Sequence, residues 1–284
     1  MSSTTLDPAD IKAAVDAALA EDIGAGDITT KAVIPDETRL NLVMATRQDI
    51  VVAGLPVALE VFRRLAPDAV VQVETTDGAQ ISTGTVIARI EGQAAALLAA
   101  ERTALNFMQT LSGIATLTRA YVDAIEGTGA VLLDTRKTVP GLRSLSKYAT
   151  AMGGATNHRM RLDDGVLIKD NHIAVAGSAA EATRRAKAAN LKAIEVECDT
   201  LDQVTEAIEA GADSLLLDNM APEMLVQAVE LCAGRVTLEA SGGVNLKTIR
   251  AIAETGVDTI SVGAITQAAP AVDIGLDLDL PTAD

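Results

Sequence analysis

Short apolar runs and amphipathic stretches alternate along the second half of this chain. The runs AVLLDT, GVLIKD, KAIEVEC, DSLLLD, VTLEAS and DTISVG, spread over residues 130–263, are rich in Leu, Ile and Val. Between them, apolar positions recur at helical spacing near 179–190, 201–210, 222–232 and 246–255. Strands that are apolar on both faces and separated by helices predict a parallel sheet covered on both sides. The repeat is even: Glu197, Asp218 and Glu239 stand 21 residues apart, and Ser261 follows 22 residues later. A βα unit that recurs so regularly closes most naturally into a barrel. A doubly wound sheet is the other arrangement, but the GxGxxG turn is missing after the first strand.

The first half has a different texture. Asp7 and Pro8 form an N-cap and first-turn pair, with Ile11, Val15 and Leu19 on one helix face. EDIGAGDITT (21–30) reads as a loop. Residues 40–91 alternate strand-like runs (LNLVMAT, DIVVA, AVVQVET, TVIARIEG) with glycine turns and one helix, PVALEVFRRL. A long helical pattern runs from Ala94 to about Ile125, with a candidate break at Ser112–Gly113. The predicted fold is α/β. A smaller α+β domain spans residues 1–114, and a barrel spanning 115–270 carries the active site. The tail, 271–284, is expected to pack on the first domain.

Composition narrows the function. Of 284 residues, 49% are hydrophobic but only 1% aromatic, so the core must be aliphatic. A net charge of −16 argues against nucleic acid and anionic membrane surfaces, both of which need a cationic face. Cys198 and Cys232 are far apart and lack CxxC spacing, which disfavours a disulfide framework or a zinc site. No apolar run approaches the ~18 residues of a membrane span. The polar, acidic start MSSTTLDPAD is unlike a signal peptide. The expectation is a soluble cytoplasmic protein.

In a parallel barrel, chemistry sits at the carboxyl ends of the strands. Here those ends read Asp134-Thr135-Arg136-Lys137, Lys169-Asp170-Asn171-His172, Glu197, Asp218, Glu239-Ala240-Ser241 and Gly263. Strand ends are wetter than strand middles, which accounts for some of these residues but not all. Between Thr135 and Lys169, seven cations face two anions within a strongly acidic chain, and both histidines, His158 and His172, lie in or beside this island. Such an island points to a small ligand with several negative charges. Arg143 and Lys147, one helical turn apart, read equally well as charges on a helix face. Ser241-Gly242-Gly243 and Gly263-Ala264 follow the last two strands, where small residues let backbone N–H groups approach a phosphate. Glu195 and Glu197 share one strand face, and Asp218 ends the next strand. Adjacent carboxylates of this kind suit Mg²⁺, which takes one or two of them plus substrate oxygens.

The stretches ERTALNFMQTLSGIAT (101–116), DTRKTVPGLRSLSKYAT (134–150), GGATNHRMRLDDGVLIKDNH (153–172), IEVEC, LLLDN, LEASGGV and ISVGAIT resemble the quinolinate phosphoribosyltransferase family. The resemblance runs from about residue 21 to about residue 280. It implies an α+β amino-terminal domain and an incomplete, seven-stranded α/β barrel. It also implies transfer of phosphoribose from 5-phosphoribosyl-1-pyrophosphate to quinolinate, with release of pyrophosphate and CO₂, in the presence of Mg²⁺ and no organic cofactor. By matching positions, Arg136, His158, Arg159 and Lys169 would hold the quinolinate carboxylates, with Thr135 beside them. Arg102 would reach across from the other copy of a homodimer, itself free to assemble further. Lys137 would face the pyrophosphate, Glu197 and Asp218 the ribose hydroxyls and Mg²⁺, and Ser241, Gly242, Gly243, Gly263 and Ala264 the 5′-phosphate. Lys137, Lys169, Glu197 and Asp218 would be catalytic. Glu195, Asn171, His172 and Glu239 lie alongside without an assigned part. Three rivals remain: a relative that spares the carboxylate on another pyridine or azole acid, a barrel aldolase using Lys169 as a Schiff-base nucleophile, and a non-catalytic anion sensor.

Overall fold

A computed structural model describes residues 5–279; residues 1–4 and 280–284, part of the polar amino-terminal stretch and the end of the tail, lie outside the described residues. In chain order the first elements are α1 (Pro8–Asp22), α2 (Ile28–Val33), β1 (Arg39–Thr46), β2 (Ile50–Val51), α3 (Leu55–Leu65), β3 (Val70–Val73), β4 (Gln80–Ile81), β5 (Val86–Gln93) and α4 (Ala94–Ala124). Next come β6 (Val131–Leu133), α5 (Arg143–Met152), β7 (Val166–Ile168), α6 (Asp170–Ala176), α7 (Ala179–Ala188) and β8 (Ile194–Cys198). The chain continues through α8 (Leu201–Ala210), β9 (Ser214–Asp218), α9 (Pro222–Cys232) and β10 (Thr237–Ser241). It ends with α10 (Ile249–Ala253), β11 (Thr259–Ser261), α11 (Ala264–Gln267) and β12 (Ile274–Leu278). No helix among the described residues is long and apolar enough to cross a membrane.

The elements group into two compact units. Unit 1 holds the described residues up to Arg119, Val139–Gly154 and the described residues from Ala268 onward. Its antiparallel sheet has the order β12-β1-β5-β3, with Met44 opposite both Leu276 and Ala88. Alternation along β1 buries Leu42, Met44 and Thr46, and the first two share one core with Phe62 of α3 and Leu97, Ala104 and Met108 of α4. Both phenylalanines of the chain, Phe62 and Phe107, lie in this core.

Three expectations change in this unit. The segment Val139–Gly154 belongs here rather than to the barrel, because α5 buries Leu145 and Ala149 in the unit 1 core. The stretch 21–30 is only partly a loop, since Asp27 caps α2 by accepting from the Thr30 amide at 2.9 Å. The helix α4 runs unbroken through Ser112–Gly113. Ser112 Oγ accepts from the Ala53 amide at 3.0 Å and donates to the Ala53 carbonyl at 3.1 Å. At Gly113 an added Cβ would stand 2.1 Å from the Pro270 carbonyl oxygen. Both residues serve close packing, so the pair that resembles a helix breaker is a crossing point.

Unit 2 comprises Ala120–Thr138 and Ala155–Gln267. Its six strands are parallel, in the order β6-β11-β10-β9-β8-β7, which matches the six apolar runs in the sequence. A seventh strand is reduced to one parallel bridge, Thr156 with Leu133, beside β6. The barrel is therefore incomplete, with six strands and a bridge where seven strands were expected. One sheet face is aliphatic and buried, with Val196, Leu215, Leu217, Leu238, Ala240 and Ile260. On the other face, register aligns Glu197 with Leu216 and Glu239, and Asp218 with Ser241. Period-2 alternation thus separates a dry face from a charged one.

We expect Gly113→Ala to lower the stability of the protein by ~1–3 kcal/mol, the usual cost of overpacking against immobile backbone. Urea unfolding monitored by circular dichroism checks this, and an unchanged midpoint would contradict the crossing at Pro270.

Candidate active site

The charged face of the unit 2 sheet opens into a cavity of about 490 Å³ lined by unit 2 residues. Thr135, Arg136 and Lys137 follow β6, His158 and Arg159 follow the Thr156 bridge, and Lys169 follows β7. Fully buried Asp134 ties the first two groups together. Its Oδ1 accepts from the His158 amide at 2.9 Å and its Oδ2 from Asn157 Nδ2 at 2.7 Å.

The cations are held with unmet hydrogen-bonding capacity. Arg136 Nε is buried and has no hydrogen-bond partner among the described residues. Arg159 Nη1 donates to the Gly165 carbonyl at 2.9 Å. Burial, and then the neighbouring charge of Arg136, push the Arg159 pKa down. Two guanidinium groups that repel each other, one with an orphan donor, make a receptor for a multiply charged anion.

The same cavity carries carboxylates. Burial, and then the charge of Glu197, raise the Asp218 pKa. Asn219, at φ +54°, donates from Nδ2 to Asp218 Oδ2 at 2.5 Å. Glu197 is buried and forms an ion pair with Lys169 Nζ. Two neighbouring acids with oxygen donors only, one of them made costlier to ionise by the other, fit a hard divalent cation such as Mg²⁺. Beside them Ser241 Oγ accepts from Ser261 Oγ at 3.0 Å. Gly242, at φ +88°, lies so close to Asn219 that a Cβ would sit 2.2 Å from its Oδ1. Gly243, Gly263 and Ala264 continue this small-residue wall, and the Lys137 carbonyl accepts from Thr266 Oγ1 at 2.6 Å.

Beneath the cations sits a buried trio. His158 Nε2 is 3.2 Å from Glu195 Oε2 and 3.3 Å from Glu239 Oε2. These are the one group of three histidine and acid residues, among those described, whose donor atoms could share a metal. Burial works to lower the His158 pKa, but the hydrogen bonds that its Nε2–H donates to Glu195 and Glu239 overcome it and hold the value up to about 9. Burial likewise raises that of Glu195. The added proton belongs to the trio as a unit. Since His158 Nδ1 accepts from the Arg159 amide at 2.8 Å, that proton lies on the side of Nε2 and the carboxylates.

Of the residues singled out from sequence, Thr135, Arg136, Lys137, His158, Arg159, Lys169, Asp218, Ser241, Gly242, Gly243, Gly263 and Ala264 all line the cavity. Glu197 is buried and reaches Lys169. Arg102 is exposed on α4, in unit 1. Arg143 and Lys147 are also in unit 1, so the basic island splits between the units. The sequence reading left Glu195 and Glu239 without a part and named Asp134 only as a strand end, without its anchoring role. The signal was the two-residue step from Glu195 to Glu197 and from Glu239 to Ser241, which sets each pair on one strand face.

Comparison with known proteins gives one consistent answer. Residues 27–112 match the model of the quinolinate phosphoribosyl transferase N-terminal domain, and residues 114–277 that of its C-terminal domain. The nicotinate-nucleotide pyrophosphorylase [carboxylating] of Mycobacterium leprae is 44% identical over 270 residues, 92% of this chain and 94% of that protein. A tobacco (Nicotiana tabacum) quinolinate phosphoribosyltransferase [decarboxylating] is 39% identical over 291 residues, 95% and 83% of the two chains. The solved structure of the nicotinate-nucleotide pyrophosphorylase from Francisella tularensis superposes with a TM-score of 0.93 at 40% identity, covering 97% of this chain and 98% of that one.

The trio sets a pH dependence of stability. The proton that the folded trio shares is kept up to about pH 9, whereas none of the three groups titrates above about 6.5 when unfolded, so its contribution is complete below that value and is lost as pH rises through about 9. We expect the urea-unfolding free energy to fall by roughly 2–3 kcal/mol between about pH 6 and pH 10, and His158→Gln to flatten this slope. Equal slopes in the two proteins would contradict it.

Proposed function

This chain belongs to the quinolinate phosphoribosyltransferase family, and on that premise we propose that its cavity joins quinolinate to 5-phosphoribosyl-1-pyrophosphate, yielding nicotinate mononucleotide, pyrophosphate and CO₂. The observation that carries this reading is the convergence of Arg136, Arg159 and Lys169 in one cavity with Asp218 and the 241–243 and 263–264 turns.

Arg136 and Arg159 grip the planar dicarboxylate, a task that suits guanidinium forks, and Lys169 adds a point charge. The pyridine nitrogen attacks the anomeric carbon while the C–O bond to pyrophosphate breaks. The carboxylates of Glu197 and Asp218 stabilise the positive charge that develops on the ribose. Lys137, exposed beside Gly263, offsets the negative charge on the departing pyrophosphate. Glu197 and Asp218 would hold Mg²⁺, which when bound neutralises pyrophosphate oxygens. Once alkylated, the ring nitrogen is cationic and stabilises, as an ylide, the electron pair left on the adjacent ring carbon when its carboxylate departs as CO₂; that carbon then takes a proton from water, which completes nicotinate mononucleotide. A cavity poor in water favours that loss, because bulk water stabilises the carboxylate more than the carbanion.

Two rivals weaken on specific observations. Lys169 Nζ is held in an ion pair with buried Glu197, whereas an aldolase needs that nitrogen free to attack a carbonyl. The relatives' names include the carboxylating or decarboxylating reaction, which disfavours a transferase that spares the carboxylate. The assembly we propose is a cytoplasmic homodimer, or a multiple of it, in which Arg102 of one copy completes the carboxylate grip in the other. The exposure of Arg102 supports this, and the two free, buried cysteines fit a reducing compartment.

The test is release of pyrophosphate and CO₂ from quinolinate, 5-phosphoribosyl-1-pyrophosphate and Mg²⁺, with nicotinate as the control acceptor. Release with quinolinate and none with nicotinate is expected; the reverse would overturn the reading. Arg136→Ala and Lys137→Ala should each lower kcat/KM by ~10²-fold or more, the scale of one lost charge-assisted contact. Full activity in either would remove that residue from its assigned part.

A further inference from the structure

Both histidines of the chain turn Nδ1 toward the main chain of a cavity cation. His158 Nδ1 accepts from the Arg159 amide at 2.8 Å, and His172 Nδ1 accepts from the Lys169 amide at 2.9 Å. A ring nitrogen that accepts carries no hydrogen, so the proton of each neutral ring is on Nε2. In His158 that Nε2–H faces Glu195 Oε2 and Glu239 Oε2. Both ring nitrogens of His158 are thus engaged by the protein itself.

The two carboxylates are costly. Glu195 is 8% exposed and Glu239 only 3%. Glu239 Oε1 is buried without a hydrogen-bond partner among the described residues, so that side chain is held from the imidazole side. Burying acids beside one another is unfavourable unless they hold something in place. The reaction assigned above uses neither. What they touch is the ring that grips the Arg159 amide, while the other end of Arg159 is tied to the Gly165 carbonyl.

We propose that Glu195 and Glu239 are positioning residues: they lock His158 as its Nε2–H tautomer, and the locked ring holds Arg159 where it meets the substrate carboxylate. The substrate part of this inference rests on the reading of the cavity as a quinolinate site; the tautomer part does not. The effect passes through one bond at each step, carboxylate to Nε2–H and Nδ1 to the Arg159 amide. It therefore acts on the dicarboxylate and leaves the sugar pyrophosphate largely untouched.

With only two histidines in the chain, full-length protein labelled with ¹⁵N-histidine gives two ring systems, and His172→Gln assigns them. Without ligand, His158 should show a bare Nδ1 and a protonated Nε2. In Glu239→Ala this signature should be lost or averaged, with KM for quinolinate raised ~10-fold and KM for the sugar pyrophosphate and kcat changed less than ~3-fold, the scale of one hydrogen bond. Glu239→Gln, whose Oε1 still accepts from Nε2–H, should recover most of both. Glu195→Gln serves as a second conservative variant where the alanine protein does not fold, with the same outcome expected. A protonated Nδ1 in the unsubstituted protein overturns the proposal, as does Glu239→Ala with an unchanged ring signature and KM. A protein that shows the Nε2–H tautomer but does not consume quinolinate sinks the activity reading and leaves the lock standing.

Discussion

Two guanidinium groups that share a half-buried cavity repel each other, and that constraint organises unit 2. Arg136 and Arg159 repel, and Arg136 keeps a buried Nε–H with no partner among the described residues. Folding alone could have relieved this by seating a carboxylate next to each. Relief is only partial: the charges of Glu195 and Asp164 favour ionised Arg159, while Asp134 is committed to main chain and Asn157, Glu197 to Lys169, and Glu195 with Glu239 to His158. The charge that remains suits a multiply charged anion.

The sheet makes this separation possible. In a parallel strand successive side chains point to opposite faces, so Val196 and Cys198 can sit in an aliphatic interior while Glu195 and Glu197 face the cavity. Register carries the same division across neighbours, with Glu197, Leu216 and Glu239 aligned on three consecutive strands. A one-residue slip would exchange the two faces and bury the charges among helices. The apolar face therefore does more than stabilise: it fixes which carboxylate meets which cation. An aliphatic core suffices here, because branched side chains pack well between a parallel sheet and its helices.

The site also stores unfavourable terms. Asn219 holds a left-handed backbone, Glu239 keeps an orphan oxygen, and Asp218 is pressed by Glu197. Such terms persist only where surrounding structure outweighs them, and they gather where binding and chemistry need fixed groups. Unit 1 shows the opposite character. Its polar groups are spent on helix caps and turns, as where Asp77 accepts from the Gly54 and Leu55 amides and from Tyr148 Oη.

Sequence by itself determined the six parallel strands of unit 2, the helices between them and most of the cavity lining. Those features follow from local period and from side-chain type at strand ends, which any fold of this chain must respect. The family resemblance added the chemistry of the substrate. Only the tertiary structure decided that Val139–Gly154 leaves the barrel, because a ten-residue amphipathic helix carries no mark of which core its apolar face will enter. It alone turned Ser112–Gly113 from an apparent break into a packing contact, since the partners Ala53 and Pro270 are distant in the chain. And it alone joined His158 to Glu195 and Glu239, from three separate segments, because hydrogen-bond partners are chosen by register and burial rather than by spacing.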